Sequence, residues 1–363
     1  MRLRPGALSA SDDRPGDGER LLDHEAGDPG CRDGVERQAA RGACDGLGVF
    51  EQRGERVVVV DDLSTGFAES VIGAELVVAN AGDEIRIDKL LRERRVDTVM
   101  HFAARTIVPE SVADPLRYYG NNTSATRNLL ACCARHDVRH VVFSSTAAVY
   151  GIPHDGCARE DSPTAPINPY GSSKLVSEWM LRDLAAAGGP TYVALRYFNV
   201  AGCDARGRIG QSTRNATLLT KVACEAAVGK RDHVCIFGSD YATPDGTGVR
   251  DYIHVDDLAR AHLAALAYLR NGGAPVALNC GYGHGYSVRE VIAAVERANF
   301  APIHVVEQPR RAGDPPLLVA DASNIRKTLD WQPRCDDLDL IARTSLAWER
   351  KLQARRPLRH AHA

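Results

Sequence analysis

No apolar run in this 363-residue chain approaches the roughly 20 residues that cross a bilayer, so no transmembrane helix is read from it. The first residues are charged and carry no apolar core segment, so they do not read as a secretory signal, and a cytoplasmic protein is expected. An excess of one charge is also lacking. The 45 Lys and Arg against 47 Asp and Glu leave a formal net charge of −2, which argues against a protein that coats nucleic acid or lies on an anionic membrane. Ten cysteines are present, but no CxxC pair and no Cys/His cluster with zinc spacing. Free thiols and no metal centre are expected, and the C-terminal RHAHA reads as a tail.

What is present fits a globular chain with a sizeable core: 44% hydrophobic and 25% charged residues, enough for one large or two moderate domains. Residues 1–52 differ from the rest. Arg, Gly, Asp and Ala dominate them, with neither a strand nor a sustained helical stripe. From Arg56 onward apolar strands are expected at 57–60, 75–78, 98–102, 141–144 and 192–197, and helices at 85–94, 114–135 and 172–187. Such alternation predicts an α/β fold built on a doubly wound parallel sheet. After Phe198 the rhythm loosens. Helices are expected at 217–228, 257–269, 321–329 and 338–353, and strands at 234–237, 276–279 and 303–306. Ser287 with Glu290 three residues on predicts a capping box.

In a doubly wound sheet the ligand lies beyond the carboxyl ends of the strands. Asp61 and Asp62 end the first clear strand, where an acid can hold ribose hydroxyls; the same residues also make good turn chemistry. His101-Phe102-Ala103-Ala104 ends another strand, where small residues permit close approach of a ligand or close helix packing. Ser144-Ser145-Thr146 ends a third. Tyr170 and Lys174 follow, four apart at the start of a helix, and so project from one face. A neighbouring ammonium lowers the pKa of a phenol from its usual value of about 10, which suits a proton-transfer pair. The Thr146 hydroxyl can complete the relay. An isolated YxxxK carries little weight; the order of strand, hydroxyl cluster and helix gives it more.

These residues, with VVVVDDLSTG, HFAA, DPLRYYGNN, VVFSSTAAVYG, NPYGSSKL, LRYFNVAG, DGTGVRDYIHVDDLA and PRRAGDPP, resemble the extended short-chain dehydrogenase/reductases, and within them the UDP-hexose 4-epimerases. The likeness runs from about Gly54 to the C-terminus. It implies a Rossmann-type NAD-binding domain over 54–197, with segments near 234–280 expected to return to it, and a smaller α/β UDP-sugar-binding domain over 198–345. Residues 1–53 stand outside it, and 346–363 are a helix end and tail. It implies NAD as cofactor, a UDP-sugar as substrate and a homodimer formed through the helices near 114–135 and 172–187. The implied reaction inverts C4 and interconverts UDP-glucose and UDP-galactose; UDP-pentose or UDP-uronate epimerisation is the nearest alternative. Thr146-Ala147-Ala148, without an acid pair, disfavours a dehydratase. By the same resemblance Tyr170 is the base and acid, with Lys174 and Thr146 assisting it. Asp61, Asp62, Phe102, Ala103, Asn122, Tyr197 and Phe198, with Tyr170 and Lys174, contact the cofactor. Thr146, Asn199, Arg250, Arg311 and Asp314 contact the substrate. An ion pair with Asp251 is the other reading of Arg250.

The chain departs from that pattern at its start. Relatives of this kind open with a buried strand and a GxxGxxG turn, whose N–H groups approach a pyrophosphate. Between Cys31 and Arg53 stand only Gly34, Gly42, Gly46 and Gly48, with no strand before them. Two readings are open: a segment read out of frame until about Gly54, or a relative that has lost the motif and binds UDP-sugar without cofactor. Either leaves neighbouring strand edges unpaired. Asn80 and Thr106 replace the family's more usual Asp and Lys, and Leu318 falls at the position that gates the sugar pocket, where a branched side chain leaves little room for an N-acetyl group.

Overall fold

The computed structural model describes residues 2–3, 55–213, 216–311 and 314–354. The opening segment in which a glycine turn is sought lies outside the described residues, apart from Arg2–Leu3. Strongly β-branched runs form the central sheet. Val96–His101, His140–Thr146, Thr191–Tyr197 and Val276–Cys280 lie side by side and parallel. Their backbone groups are paired along the ladder, and helices on both faces exclude water, so the strands tolerate nearly continuous apolar sequence. The last of the four returns from late in the chain, beside Thr191–Tyr197.

The smaller half is built from short pieces. Tyr286–Ser287, Val249–Arg250, Leu317–Ala320 and Cys157–Ala158 make one sheet. Val234–Phe237 pairs in parallel with Val305–Gln308, and Asn199–Ala201 with Tyr252–His254. The helices Leu219–Ala227, Val288–Asn299 and Leu338–Ala354 pack over them in one continuous core. The predicted capping box is present: Glu290 N–H donates to Ser287 Oγ at 3.0 Å, and Ser287 N–H donates to Glu290 Oε2 at 2.7 Å. The helix expected over 114–135 is a succession, Pro115–Tyr118, a π-turn segment Tyr119–Ser124 and Ala125–Arg135, with a further helix Val108–Ala113 before it. The strand expected at 303–306 is shifted to Val305–Gln308 by its register with Val234–Phe237.

The central sheet is interrupted. Val58–Asp61 pairs in parallel with Glu75–Val78 as a separate two-stranded ladder. Val58, Val96 and Val99 nevertheless share one apolar cluster with Ile87, Leu91 and Leu129 of the helices on one face. Val57 and Met100 share another with Leu263 and Leu266 on the other. Val58–Asp61 and Val96–His101 are therefore in one layer, held to the same helices, with no ladder between them among the described residues. The cavity described below runs into this gap, along residues 57–61 and 98–101. The edge of Val96–His101 that Arg2–Leu3 touches is paired over only two residues, antiparallel, and the Thr98 hydroxyl is buried without a partner. Among the described residues no other segment pairs with that edge. By hydrogen exchange, peptides covering 57–61 and 75–78 are expected to exchange at least about tenfold faster than peptides covering 191–197, which are paired on both sides. Equal protection would mean that a strand fills the gap in solution.

Candidate active site

The carboxyl ends of the strands open into a cavity of about 1220 Å³ between the two halves of the molecule. Asp61, Asp62, Phe102, Ala103, Thr146, Tyr170, Tyr197, Phe198 and Asn199 line it from the sheet side. Arg250, Arg311, Asp314 and Leu318 line it from the other. Lys174 and Asn122 do not reach the wall.

Tyr170 stands in the first turn of the helix Pro169–Ala186. Pro169 fits there because its missing N–H has no intrahelical partner in any case. Asn168 caps the helix, its Oδ1 accepting from Gly171 N–H at 2.9 Å. Gly171 sets the approach: a Cβ on it would lie 2.6 Å from the Ala148 carbonyl oxygen. Without that Cβ the helix start presses on the turn after Thr146, which brings the Thr146 hydroxyl toward the Tyr170 phenol. Burial pushes the phenol above its ordinary pKa, and the nearby Thr146 hydroxyl opposes this.

Lys174 follows one turn later and is buried. Its ammonium donates to the Ser144 carbonyl at 2.9 Å and sits 4.9 Å from the centre of the Phe143 ring. Burial lowers it to about 7, with the Glu178 carboxylate working the other way. The lowering of the Tyr170 pKa expected from this amine is not seen; Lys174 is spent on Ser144, and burial dominates the phenol. His101, burial aside, also feels the Lys174 charge, and is lowered to about 3. Tyr197 hydrogen-bonds Ser144 through its phenol.

At the far end of the cavity, Asp61 accepts from Leu63 N–H at 2.7 Å, in a turn where Leu63 takes a left-handed φ of 57°. Gly66 leaves its carboxylate uncovered, since a Cβ there would lie 2.9 Å from Asp61 Oδ2. Burial raises Asp61. Burial opposes the Asp62 charge too, but hydrogen bonds from Ser64 and from Asn80, at 3.2 Å, hold Asp62 below the usual carboxylate range. Asn80, at a departure position, therefore serves the acid beside it. Asn122, expected above to contact the cofactor, stands behind the wall. Its amide is fully used within the protein, accepting from Arg105 N–H at 2.8 Å and donating to Arg105 O and Ser173 Oγ, each at 3.0 Å. It holds the loop that carries Arg105 to the wall.

On the opposite wall Arg250 lies 4.0 Å from Asp314, and its Nη1 donates to Val249 O at 2.8 Å. The pairing with Asp251 is absent: that carboxylate is buried and accepts from the N–H groups of Tyr282 and Gly283, each at 3.0 Å. Arg311 stacks 3.6 Å from the centre of the Phe237 ring. Asn199 is directly opposite Tyr252 in the parallel ladder. Sequence reading missed Glu178, four residues beyond Lys174 and on the same helical face; that spacing was the available signal.

A dinucleotide fits the two ends of this cavity. Two carboxylates, one left open by Gly66, stand at one end, and a phenol with its hydroxyl partner at the other. No glycine-lined turn for a diphosphate occurs between them among the described residues.

Residues 47–281 match the NAD dependent epimerase/dehydratase family. A UDP-glucose 4-epimerase from Azospirillum brasilense is 54% identical over 85% of this chain and 88% of its own length. The structure of UDP-glucose 4-epimerase from Brucella ovis in complex with NAD superposes with a TM-score of 0.83 at 40% identity, covering 85% of this chain and 95% of that one. A Stenotrophomonas maltophila UDP-glucose-4-epimerase with bound NAD and formylated UDP-arabinopyranose gives 0.83 at 38% identity, over 87% of this chain and 97% of that one. With the phenol, amine and hydroxyl gathered at one strand end of a parallel sheet, these likenesses establish that the chain belongs to the NAD dependent epimerase/dehydratase family, among its UDP-glucose 4-epimerases.

Proposed function

We propose that this chain interconverts UDP-glucose and UDP-galactose, with Tyr170 moving the proton of the C4 hydroxyl. The placing of Tyr170 and Thr146 together on the cavity wall, with Lys174 one turn behind, carries the reading. NAD, when bound, supplies a reversible hydride acceptor for C4. Asp61 and Asp62 hold the hydroxyls of its adenosine ribose, and the small Ala103 after Phe102 lets it lie close to the strand end. Tyr197 and Phe198 flank the ring-bearing end. Tyr170 accepts the C4 hydroxyl proton as the C–H bond breaks and gives a proton back to the C4 oxygen as that C–H bond re-forms on the opposite face of the sugar; Thr146 steadies both oxygens. Lys174, below the wall, holds the Ser144 carbonyl at the strand end that carries Thr146. Arg250 and Arg311 meet the diphosphate of the sugar nucleotide, whose charge suits paired guanidinium groups. Asp314 and Asn199 complete that side.

Incubation of the chain with UDP-galactose and no added reductant is expected to yield UDP-glucose; UDP binding without interconversion would overturn the enzymatic reading. Tyr170→Phe is expected to lower kcat by about 10²–10⁴-fold while leaving UDP affinity within twofold or so, measured by coupled assay and calorimetry.

Leu318 lines the cavity and packs with Val149, Tyr150, Leu175 and Phe198. Its branched side chain narrows the sugar side. The kcat/KM for UDP-N-acetylgalactosamine is expected at least about tenfold below that for UDP-galactose, and Leu318→Ala is expected to shrink the difference. Comparable turnover of both sugars by the unmodified chain would refute this.

The chain also pairs with a second copy. Val112, Leu116 and Trp179 are exposed, on the adjoining helices Val108–Ala113, Pro115–Tyr118 and Pro169–Ala186. Light scattering is expected to give twice the 39.3 kDa of one chain, and Leu116→Arg to shift it toward a single chain. All eight described cysteines are unpaired, in keeping with a reducing cytoplasm.

A further inference from the structure

Behind the cavity wall lies a buried charge pair that the chemistry above does not use. Glu178 and Arg196 are both nearly inaccessible, with side chains 6% and 8% exposed. The guanidinium holds the carboxylate from two sides, Nη2 to Oε2 at 2.6 Å and Nε to Oε1 at 3.0 Å. Ser145 also donates its hydroxyl to Glu178. Arg196 Nη1 donates to the Tyr150 phenol at 2.9 Å, and that phenol donates to Asn279 Oδ1 at 2.7 Å.

The placement of these residues is informative. Ser145 is directly opposite Arg196 in the parallel ladder, and Arg196 is directly opposite Asn279 in the next. The network thus crosses three adjacent strands at one level. One residue further along stand Thr146 and Tyr197, which line the cavity. On the helix, Glu178 is one turn from Lys174 and two turns from Tyr170. Asn279 Nδ2 continues the network to Ala158 O at 2.8 Å, in the sheet that also carries Arg250 and Leu318.

We propose that Glu178, through its two-point pairing with Arg196, is a positioning residue that fixes Thr146, Tyr170, Lys174 and Tyr197 relative to one another. This rests on the function proposed above. An apolar pair of similar volume would fill the core as well, so burial alone gives no need for these charges. What the fork adds is direction: a carboxylate held from two sides ties helix to strand at a fixed angle.

The pair also sets the electrostatics around Lys174. That amine feels Glu178 on its own helix and is felt by His101 on the strand Val96–His101, while Tyr170 stands one turn before it and Arg196 pairs with Glu178. His101 is held neutral near pH 7 and the tyrosines are raised, all three by burial in the first place. Glu178 is thus the anion that favours the charged amine. Its removal takes away that counter-charge and leaves Arg196 as an unbalanced cation. Both changes push Lys174 the same way, toward the neutral amine at lower pH.

Two measurements test the proposal. Glu178→Asp keeps the charge but withdraws it by one methylene; it is expected to lower kcat for UDP-galactose by about tenfold with KM within about threefold. On the cofactor-free protein, the Lys174 signal in a ¹³Cε-lysine NMR titration, assigned by Lys174→Met, is expected to shift its midpoint down by about one pH unit in Glu178→Gln. A kcat within twofold of the parent, or an unmoved midpoint, overturns the proposal. Should both variants fail to fold, Ser145→Ala, which leaves the ion pair intact and cuts only its tie to the strand end, is expected to lose about threefold in kcat at unchanged KM, and no loss overturns it. A parent chain without turnover refutes the functional reading alone, because the NMR titration needs no turnover and still decides the role of Glu178.

Discussion

Everything at the reacting end follows from how closely one helix start can approach one strand end. Tyr170 and Thr146 are 24 positions apart in the chain, and neither finds the other by local geometry. Gly171 lets them meet, because a side chain there would collide with the Ala148 carbonyl. Asn168 and Pro169 fix where the helix begins, so the phenol falls in its first turn, where the side chain faces the turn after Thr146. Lys174 comes one turn later and reaches back to Ser144 on the same strand. One backbone contact thus sets three functional groups.

Burial then decides their charge. It raises the phenol of Tyr170 and lowers the amine of Lys174, so each is driven toward its neutral form. The two neutral forms differ from phenolate and ammonium by a single proton transfer, and the pair as a whole carries no net charge either way. Both shifts favour the neutral pair, so reaching the phenolate needs a substantial added field. Any positive charge brought into the cavity beside Tyr170 favours the phenolate, and Glu178 favours the ammonium from the other side. A phenol that is neutral at rest and ionised only when such a charge is present can take and return a proton, which an inversion that begins and ends with a hydroxyl requires.

Much of this was legible in the sequence. The long strands of the central sheet show as continuous β-branched runs, and Tyr170 with Lys174 shows as a spacing of four. Apart from Val234–Phe237 and Val305–Gln308, the strands of the smaller half were not legible. Cys157–Ala158, Asn199–Ala201, Val249–Arg250 and Leu317–Ala320 are two to four residues long, too short for any period to show, and are defined by pairing with distant segments. Asn122 was assigned to the cofactor because its stretch resembles a family pattern. Its fold position, one layer behind the wall, depends on Arg105 and Ser173, which no local pattern reveals. Lys174 was expected to act directly on the phenol, but its bond to a carbonyl was invisible before the strand and helix were brought together.

The interrupted sheet bears on the opposite end of the cavity. Among the described residues, Asp61 and Asp62 hang on a two-stranded ladder that joins the rest of the layer through apolar contacts with helices. Such contacts are non-directional, whereas a hydrogen-bonded ladder fixes spacing and register. Tyr170, by contrast, is anchored through the continuous sheet and the Glu178–Arg196 fork. The two ends of the site therefore differ in how firmly they are held. A ligand that bridges them must itself fix the distance between the carboxylates and the phenol, so its binding includes the cost of ordering the looser end. That cost falls on affinity for the bridging ligand, while the alignment of Tyr170 with Thr146, set entirely on the continuous side, is unaffected by it.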